Sequence, residues 1–387
     1  MSLKRLKVRG SFRGPTGHDH HVRQFVRAFH GQGVDVQLID MPSWSPAVLP
    51  DGKRDPWFDS LARPLDARVF VQFCMPHQAE PEEGRVNVNY TMFEAGHVPA
   101  RWVADGFRQH RVVLPSESSR QAWIGSGLPD SRIRVCPLGV DPDLYSRTHA
   151  PLDWTLVSGS HVSDYGTRFL NVSELGPRKN LLGLLRVWLR ATSRRDDAVL
   201  VVKLGCHAPD LRARFTILLH MLERDSGKRF LEAAPVHYVY DLFSDEEMPR
   251  LYAAATHYIS LSHGEGWDQP MMEAGASGLA LIAPRHSAYT AYLDETIADL
   301  VPTREIPAVY NGDPDTAALF EGANWWAPDE DAAAAFLRAA IDRTGTSGGP
   351  ARSRILRHFT WEQAARRLLD ILDEAAEDAS AAESGSS

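Results

Sequence analysis

Nowhere in the 387 residues does an apolar run approach the roughly 20 residues that would cross a bilayer. Residues 1–8 carry Lys4, Arg5 and Lys7 but none of the apolar stretch that a secretory leader needs. Cysteine is scarce. Cys74, Cys136 and Cys206 are far apart and odd in number, which fits neither a disulfide framework nor a zinc site. Basic charge is outweighed as well, with 42 Lys and Arg against 50 Asp and Glu and a net charge of −8. That balance argues against a general nucleic-acid binder, although a local basic patch could still meet phosphates or a membrane surface. Internal repeats and heptad runs are also missing. A cytoplasmic protein is expected, with peripheral membrane contact left open.

Hydrophobic content of 43% and charged content of 24% are those of a globular chain, and the length predicts two domains. Short apolar runs alternate with amphipathic helical segments, which reads as α/β with parallel sheets. Strands are expected at 6–11, 34–39, 68–73, 86–91 and 111–114. In the second half they are expected at 168–172, 199–203, 236–240, 258–261 and 279–283. The segment 20–30 places Val22, Phe25, Val26 and Phe29 on one helical face, and Leu181, Leu184, Leu185 and Trp188 form another stripe. Ser244 with Glu247 and Thr360 with Gln363 read as capping boxes, the second opening a helix that buries Ala365, Leu368, Leu369 and Leu372.

The Pro-, Gly-, Ser- and Asp-rich stretch 139–166 predicts a boundary between a domain at 1–150 and another at 151–374. Residues 375–387 are Ala, Glu, Asp, Ser and Gly, and read as a disordered tail.

Three segments carry candidate chemistry. The richest runs from Ser262 through His263, Gly264, Glu265, Gly266, Trp267, Asp268, Gln269 and Pro270 to Glu273. It follows an apolar strand and enters a helix at Pro270, a residue suited to the first helical position. This puts a glycine-bearing loop at the C-terminal end of a parallel strand, where α/β folds bind ligands. The helix N-terminus behind it favours an anionic phosphate. Glu265 in the loop and Glu273 about a turn into the helix can face one crevice and hold hydroxyls on two parts of one ligand. Solvated glutamates on an ordinary strand–loop–helix are the plain alternative.

The second segment, Ser173 to Leu181, places Arg178 and Lys179 between a strand and a helix, where cations can neutralise a diphosphate leaving group. A cation there works against the helix dipole, which favours a functional reason over a solvated loop. The third, Arg13 to His20, holds Gly14 and Gly17 between the first strand and first helix, where glycine permits close backbone approach. A tight turn would explain it equally. His18, His20 and His21 cluster there without the spacing of a metal site.

The first segment resembles the paired-glutamate signature of the retaining glycosyltransferases of family four, which have the GT-B fold. The resemblance covers nearly the whole chain and is densest over 168–285. It implies two Rossmann-like domains with parallel sheets facing an interdomain cleft, the first for acceptor and the second for a nucleotide-sugar donor. The last helix, 360–374, is expected to pack back on the first domain. In that family the first glutamate contacts the donor sugar and the second the ribose, roles that carry over to Glu265 and Glu273. The backbone at Gly266 and Trp267 would approach the donor. Lys179 matches the family's phosphate-binding lysine. The family's arginine, a few residues upstream near Ser173 and Glu174, is absent here, and Arg178 is the candidate replacement.

The loop with Gly14 and Gly17 is similar to one that borders the donor diphosphate and the acceptor, making His18 an acceptor-side candidate. Thr91 and Glu94 are acceptor-side candidates on the same grounds. Tyr240 and Asp241, at a strand end before the donor loop, are candidates for contact with the base. The expected activity is retaining, metal-independent transfer of a hexose from a UDP- or GDP-sugar. The acceptor would be a glycan, lipid-linked saccharide or small molecule, and no cofactor beyond the donor substrate is expected. The triplet Asp141-Pro142-Asp143 spells the D-x-D of metal-dependent transferases, but it sits in the expected crossover and reads as chance. A GT-B epimerase or phosphorylase and a non-catalytic partner subunit remain as alternatives.

Overall fold

Two six-stranded parallel sheets organise the computed structural model, which describes residues 3–42, 44–205, 210–311, 313–343 and 348–385. The chain divides into two compact units, Met1–Asp141 with Ala318–Ala323 and His358–Ser387, and Pro142–Ala317 with Asn324–Arg357. The first unit therefore takes its last helical segment from the far end of the chain.

In the first unit the strands are β1 (Arg5–Gly10), β2 (Asp35–Ile39), β3 (Val69–Phe73), β4 (Val86–Tyr90), β5 (Arg111–Leu114) and β6 (Ile133–Val135). Their order is β2-β1-β3-β4-β5-β6, all parallel. Every residue of β3 and β4 is buried, as befits strands covered on both faces. Asn89 tolerates that burial because its amide donates to the carbonyls of Gln72 and Cys74 at 3.0 and 3.1 Å.

The second unit holds β7 (Thr167–Glu174), β8 (Ala198–Gly205), β9 (Val236–Val239), β10 (His257–Ile259), β11 (Ala280–Pro284) and β12 (Asp299–Val301). They lie in the order β12-β11-β10-β7-β8-β9, again all parallel. A core of Phe169, Leu184, Leu185, Trp188, Leu200 and Ile259 packs beneath. An antiparallel pair, β13 (Thr303–Pro307) with β14 (Asn324–Pro328), was not expected from the sequence. Thr303–Pro307 is largely polar and the apolar part of Asn324–Pro328 is three residues long, too short to read as a strand.

The chain's last segment departs from the expected disordered tail at 375–387. A helix runs from Trp361 to Gly385, beyond which the final two residues lie outside the described ones. Ala and Glu favour helix, Ala375 and Ala376 are buried, and Asp378 pairs with Arg111. Thr360 and Gln363 cap this helix reciprocally, each backbone amide donating to the other's side chain at 3.2 Å. At Ser244 only half a box forms: its amide donates to Glu247 at 2.7 Å, and the helix starts at Met248 without a side-chain cap. Cys74 and Cys136 are buried free thiols; Cys206 lies outside the described residues. Among the described residues no helix is long and apolar enough to cross a membrane.

Candidate active site

Strand order decides where a ligand can enter. In the second sheet the chain starts at β7, proceeds outward to β8 and β9, then returns to the other side of β7 with β10. The loops after β7 and β10 therefore leave the sheet side by side and diverge, which opens a crevice at its carboxyl edge. The two motif segments of this unit are those loops.

They are stitched together at several points. Asn180, at φ 48°, donates its amide to the Leu261 carbonyl at 2.8 Å, and the His263 amide donates to the Arg178 carbonyl at 2.7 Å. Arg178 Nη1 donates to the Gly264 carbonyl at 2.9 Å and to Glu265 at 3.1 Å, while Nη2 reaches Glu174 at 3.2 Å. Lys179 Nζ donates to both carboxylate oxygens of Glu265, at 2.8 and 3.0 Å. Glu265 is only 4% exposed. Burial alone would raise its pKa, but Lys179 and then Arg178 outweigh it and hold the carboxyl below its ordinary value. Burial works to lower the Lys179 pKa, and Glu265 reverses this to a net rise. Two cations and a carboxylate, drawn from opposite sides of the switch point, thus form one charged cluster.

The segment after β11 braces this loop from behind. The Tyr289 hydroxyl donates to Asp268 at 2.6 Å and lies 2.9 and 3.0 Å from the Ser260 and Ser262 hydroxyls. Tyr292 donates to the Trp267 carbonyl at 3.2 Å. His286 Nε2 meets the Ser262 carbonyl at 2.8 Å and Nδ1 meets the Ser287 hydroxyl at 2.7 Å. Ser287 in turn accepts the Glu265 amide at 3.3 Å. The His286 ring stacks on Trp326 at 5.2 Å, and burial lowers its pKa to about 4, so it is neutral at pH 7.

The helix that follows residues 262–268 is Gln269–Ala276, which puts Pro270 at its second position. Its N-cap, Asp268, lies at φ 62° and accepts the Met271 amide at 3.4 Å. Desolvation, then the charge of Glu265, raises the Asp268 pKa to about 6. Glu273 is buried a turn further on, taking the Tyr252 hydroxyl at 2.7 Å and the Gln269 amide at 3.3 Å. Gly266 is buried in the same loop. Trp267 is buried, its Nε1 donating to Met272 Sδ at 3.4 Å. Tyr240 carries the Arg212 guanidinium over its ring at 4.3 Å, and Asp241 is exposed beside it.

The remaining predicted residues lie in the first unit. Gly14 follows β1 at the β1–β3 switch point of that sheet. A Cβ there would come within 2.5 Å of Ser45 and 2.7 Å of Asp19, and its amide already donates to Asp19 at 2.8 Å. Close internal packing therefore accounts for this glycine. Gly17 opens the helix Gly17–Gly31 with nothing near its would-be Cβ, and Thr16 with Asp19 caps that helix. His18 packs tilted against Trp44 at 4.4 Å, its ring nitrogens making no hydrogen bond among the described residues, and burial lowers its pKa to about 4. Thr91 is buried with an unpartnered hydroxyl at the end of β4, and Glu94 is half-buried three residues later. Among the described residues no group of three or more His, Cys, Asp or Glu is placed to hold a metal ion.

Sequence reading missed Asp268, Tyr289, His286 and Tyr252 as parts of the site. The first stood inside the motif, unremarked because capping carboxylates are common. Tyr252 lies in the helical stripe of Met248, Leu251 and Ala255 and so reads as core, while Tyr289 and His286 are lone residues with no pattern around them.

No family model and no curated relative matches the sequence. Solved structures do resemble the fold. HepE from Anabaena, crystallised with UDP and glucose, matches 96% of this chain and 100% of its own at 12% identity and a TM-score of 0.62. A sucrose-phosphate synthase from Thermosynechococcus elongatus matches 97% and 100% at 14% identity and 0.64. OtsA matches 95% and 99% at 11% identity and 0.61. The chain has the α/β architecture of the GT-B glycosyltransferases, two Rossmann-like units each built on a parallel sheet.

Proposed function

We propose that the chain is a nucleotide-sugar-dependent glycosyltransferase whose donor site lies at the β7–β10 switch point. The observation that carries this reading is the meeting of Lys179, Arg178 and Glu265 above the carboxyl edge of the second sheet. Breaking a sugar–diphosphate bond builds negative charge on the departing phosphate, and preorganised cations in a water-poor site meet that demand. Lys179 is the principal group for this role. Arg178, which ties the donor loop to the β7 loop, supplies the second charge where the resembled family has an upstream arginine. Glu265 positions the sugar through its hydroxyls, and Glu273, with Tyr252 behind it, holds the ribose.

Transfer with retention follows the resemblance. The acceptor oxygen attacks the anomeric carbon from the face the diphosphate leaves, and the acceptor proton passes to a departing phosphate oxygen. A hexosyl donor carried by uridine or guanosine diphosphate, and a hydroxyl acceptor, complete the reading. The two cations make a bound metal unnecessary, so chelation with EDTA is expected to leave the rate unchanged.

The decisive experiment is a thermal-shift panel of nucleoside diphosphates and nucleotide sugars on wild type and Glu273→Gln. One nucleotide family should raise the melting temperature of wild type by mass action, with the rise reduced in the variant. No shift with any nucleotide would overturn the reading in favour of a non-catalytic partner subunit.

A further inference from the structure

Charge around the switch point is already balanced within the protein. Lys179 and Arg178 bring two positive charges, both seated on Glu265, while Glu174 also pairs with Arg178 and Asp268 lies in the same loop. Asp268 is in ion-pair range of no cation among the described residues. Its partners are the Tyr289 hydroxyl and the Met271 amide, and it is 6% exposed. The left-handed backbone at this residue sets the carboxylate over the N-terminus of the helix Gln269–Ala276, where an incoming phosphate would be drawn.

A nucleotide diphosphate sugar brings further negative charge into this low-dielectric crevice. With both cations seated on Glu265, the least costly adjustment is to discharge a carboxylate that Lys179 supports only from beyond ion-pair distance. Resting on the donor site proposed above, we infer that Asp268 makes donor binding proton-linked: the diphosphate enters together with a proton from solvent that this carboxylate takes up.

The neighbouring groups leave Asp268 alone in that role. Lys179 and Arg178 keep Glu265 charged, and Glu265 keeps Lys179 charged. Burial drives the phenols of Tyr258, Tyr289 and Tyr292 well above 10, so they stay neutral. His286 is neutral, and Glu273 is engaged with Tyr252. Asp268, buried, without an ion-pair partner among the described residues and raised to about 6, is poised to accept a proton.

Calorimetric titration of the full chain with UDP-glucose, and in parallel GDP-mannose, tests this in buffers of low and high ionisation enthalpy at pH 7.5. Neither ligand has a phosphate that titrates near neutrality, so any proton taken up goes to the protein. Wild type should take up about one proton per ligand, and its affinity should fall about tenfold from pH 7 to pH 8. Asp268→Asn, which preserves the cap and tolerates the left-handed backbone, should show neither effect. Tyr289→Phe removes a hydrogen bond that favours the charged carboxylate and should move the fall in affinity to higher pH. Binding without proton uptake in wild type, or uptake unchanged in Asp268→Asn, would overturn the inference while leaving the donor reading intact. Absence of binding by both nucleotide sugars overturns the two together.

Discussion

Lys179 and Glu265 form a buried pair in which either partner alone would be costly. Removing one side of such a pair typically destabilises by about 3–5 kcal/mol because the other charge is left uncompensated. Arg178 also contacts Glu265, so Lys179→Ala should sit at the low end of that range, measured as a shift in urea midpoint. If the donor reading holds, the same variant should lose about 10²–10³ in kcat, the magnitude seen when one charge-stabilising donor is deleted. A smaller loss in kcat with the full loss of stability would make Lys179 structural. Tyr252→Phe should be milder. It leaves Glu273 short of one partner, at about 1–3 kcal/mol, and it should weaken nucleotide affinity more than it slows transfer.

At the scale of elements, the turn between β7 and the helix Leu181–Ala191 makes the strongest prediction. A Cβ on Gly183 would come within 2.3 Å of the Asn180 side chain, which spans to the Leu261 carbonyl. Replacing a helical glycine by alanine ordinarily stabilises by about 1 kcal/mol. Gly183→Ala is expected to reverse that sign, since it pushes Asn180 off the donor loop and loosens Lys179 beside it. A raised melting temperature would contradict the assignment. This turn also shows where the sequence was legible. Arg178 and Lys179 announced themselves as adjacent cations between a strand and a helix, and the run Ser262–Glu273 announced itself by glycines, a proline and carboxylates after an apolar strand. Asn180, Tyr289 and His286 act through partners 81, 21 and 24 residues away. Such pairings leave no local periodicity to read. The strands β6, β12, β13 and β14 were missed because three to five residues of mixed polarity look like loop, and the tail because a composition poor in apolar residues can still form a docked helix.

For the whole molecule, acid sensitivity follows from its buried histidines. His18, His257 and His286 are each pushed down to about 4 by burial. Between pH 6.5 and 4 the unfolded chain binds protons at these sites and the folded chain does not, so stability present above pH 6.5 is lost as the pH falls. Each contributes about 3 kcal/mol to that loss by pH 4, while Asp268, raised to about 6, works the other way over a similar window. The histidines outnumber it, so the urea midpoint should drop markedly from pH 7 to pH 4.5; an unchanged midpoint would show that they are solvated. One more consequence concerns synthesis. The helix Trp361–Gly385 covers the helix Gly17–Gly31, where Trp361 packs against Phe25 at 5.4 Å and His21 at 6.4 Å. A ribosome adding roughly 5–20 residues per second delivers that helix about 10–50 s after the first unit's own strands have emerged. Throughout that interval the nascent chain carries an uncovered aromatic surface, while the second unit is made and folds. The domain begun first is therefore completed last, and holding chaperones should engage the nascent chain at this surface until its final helix arrives.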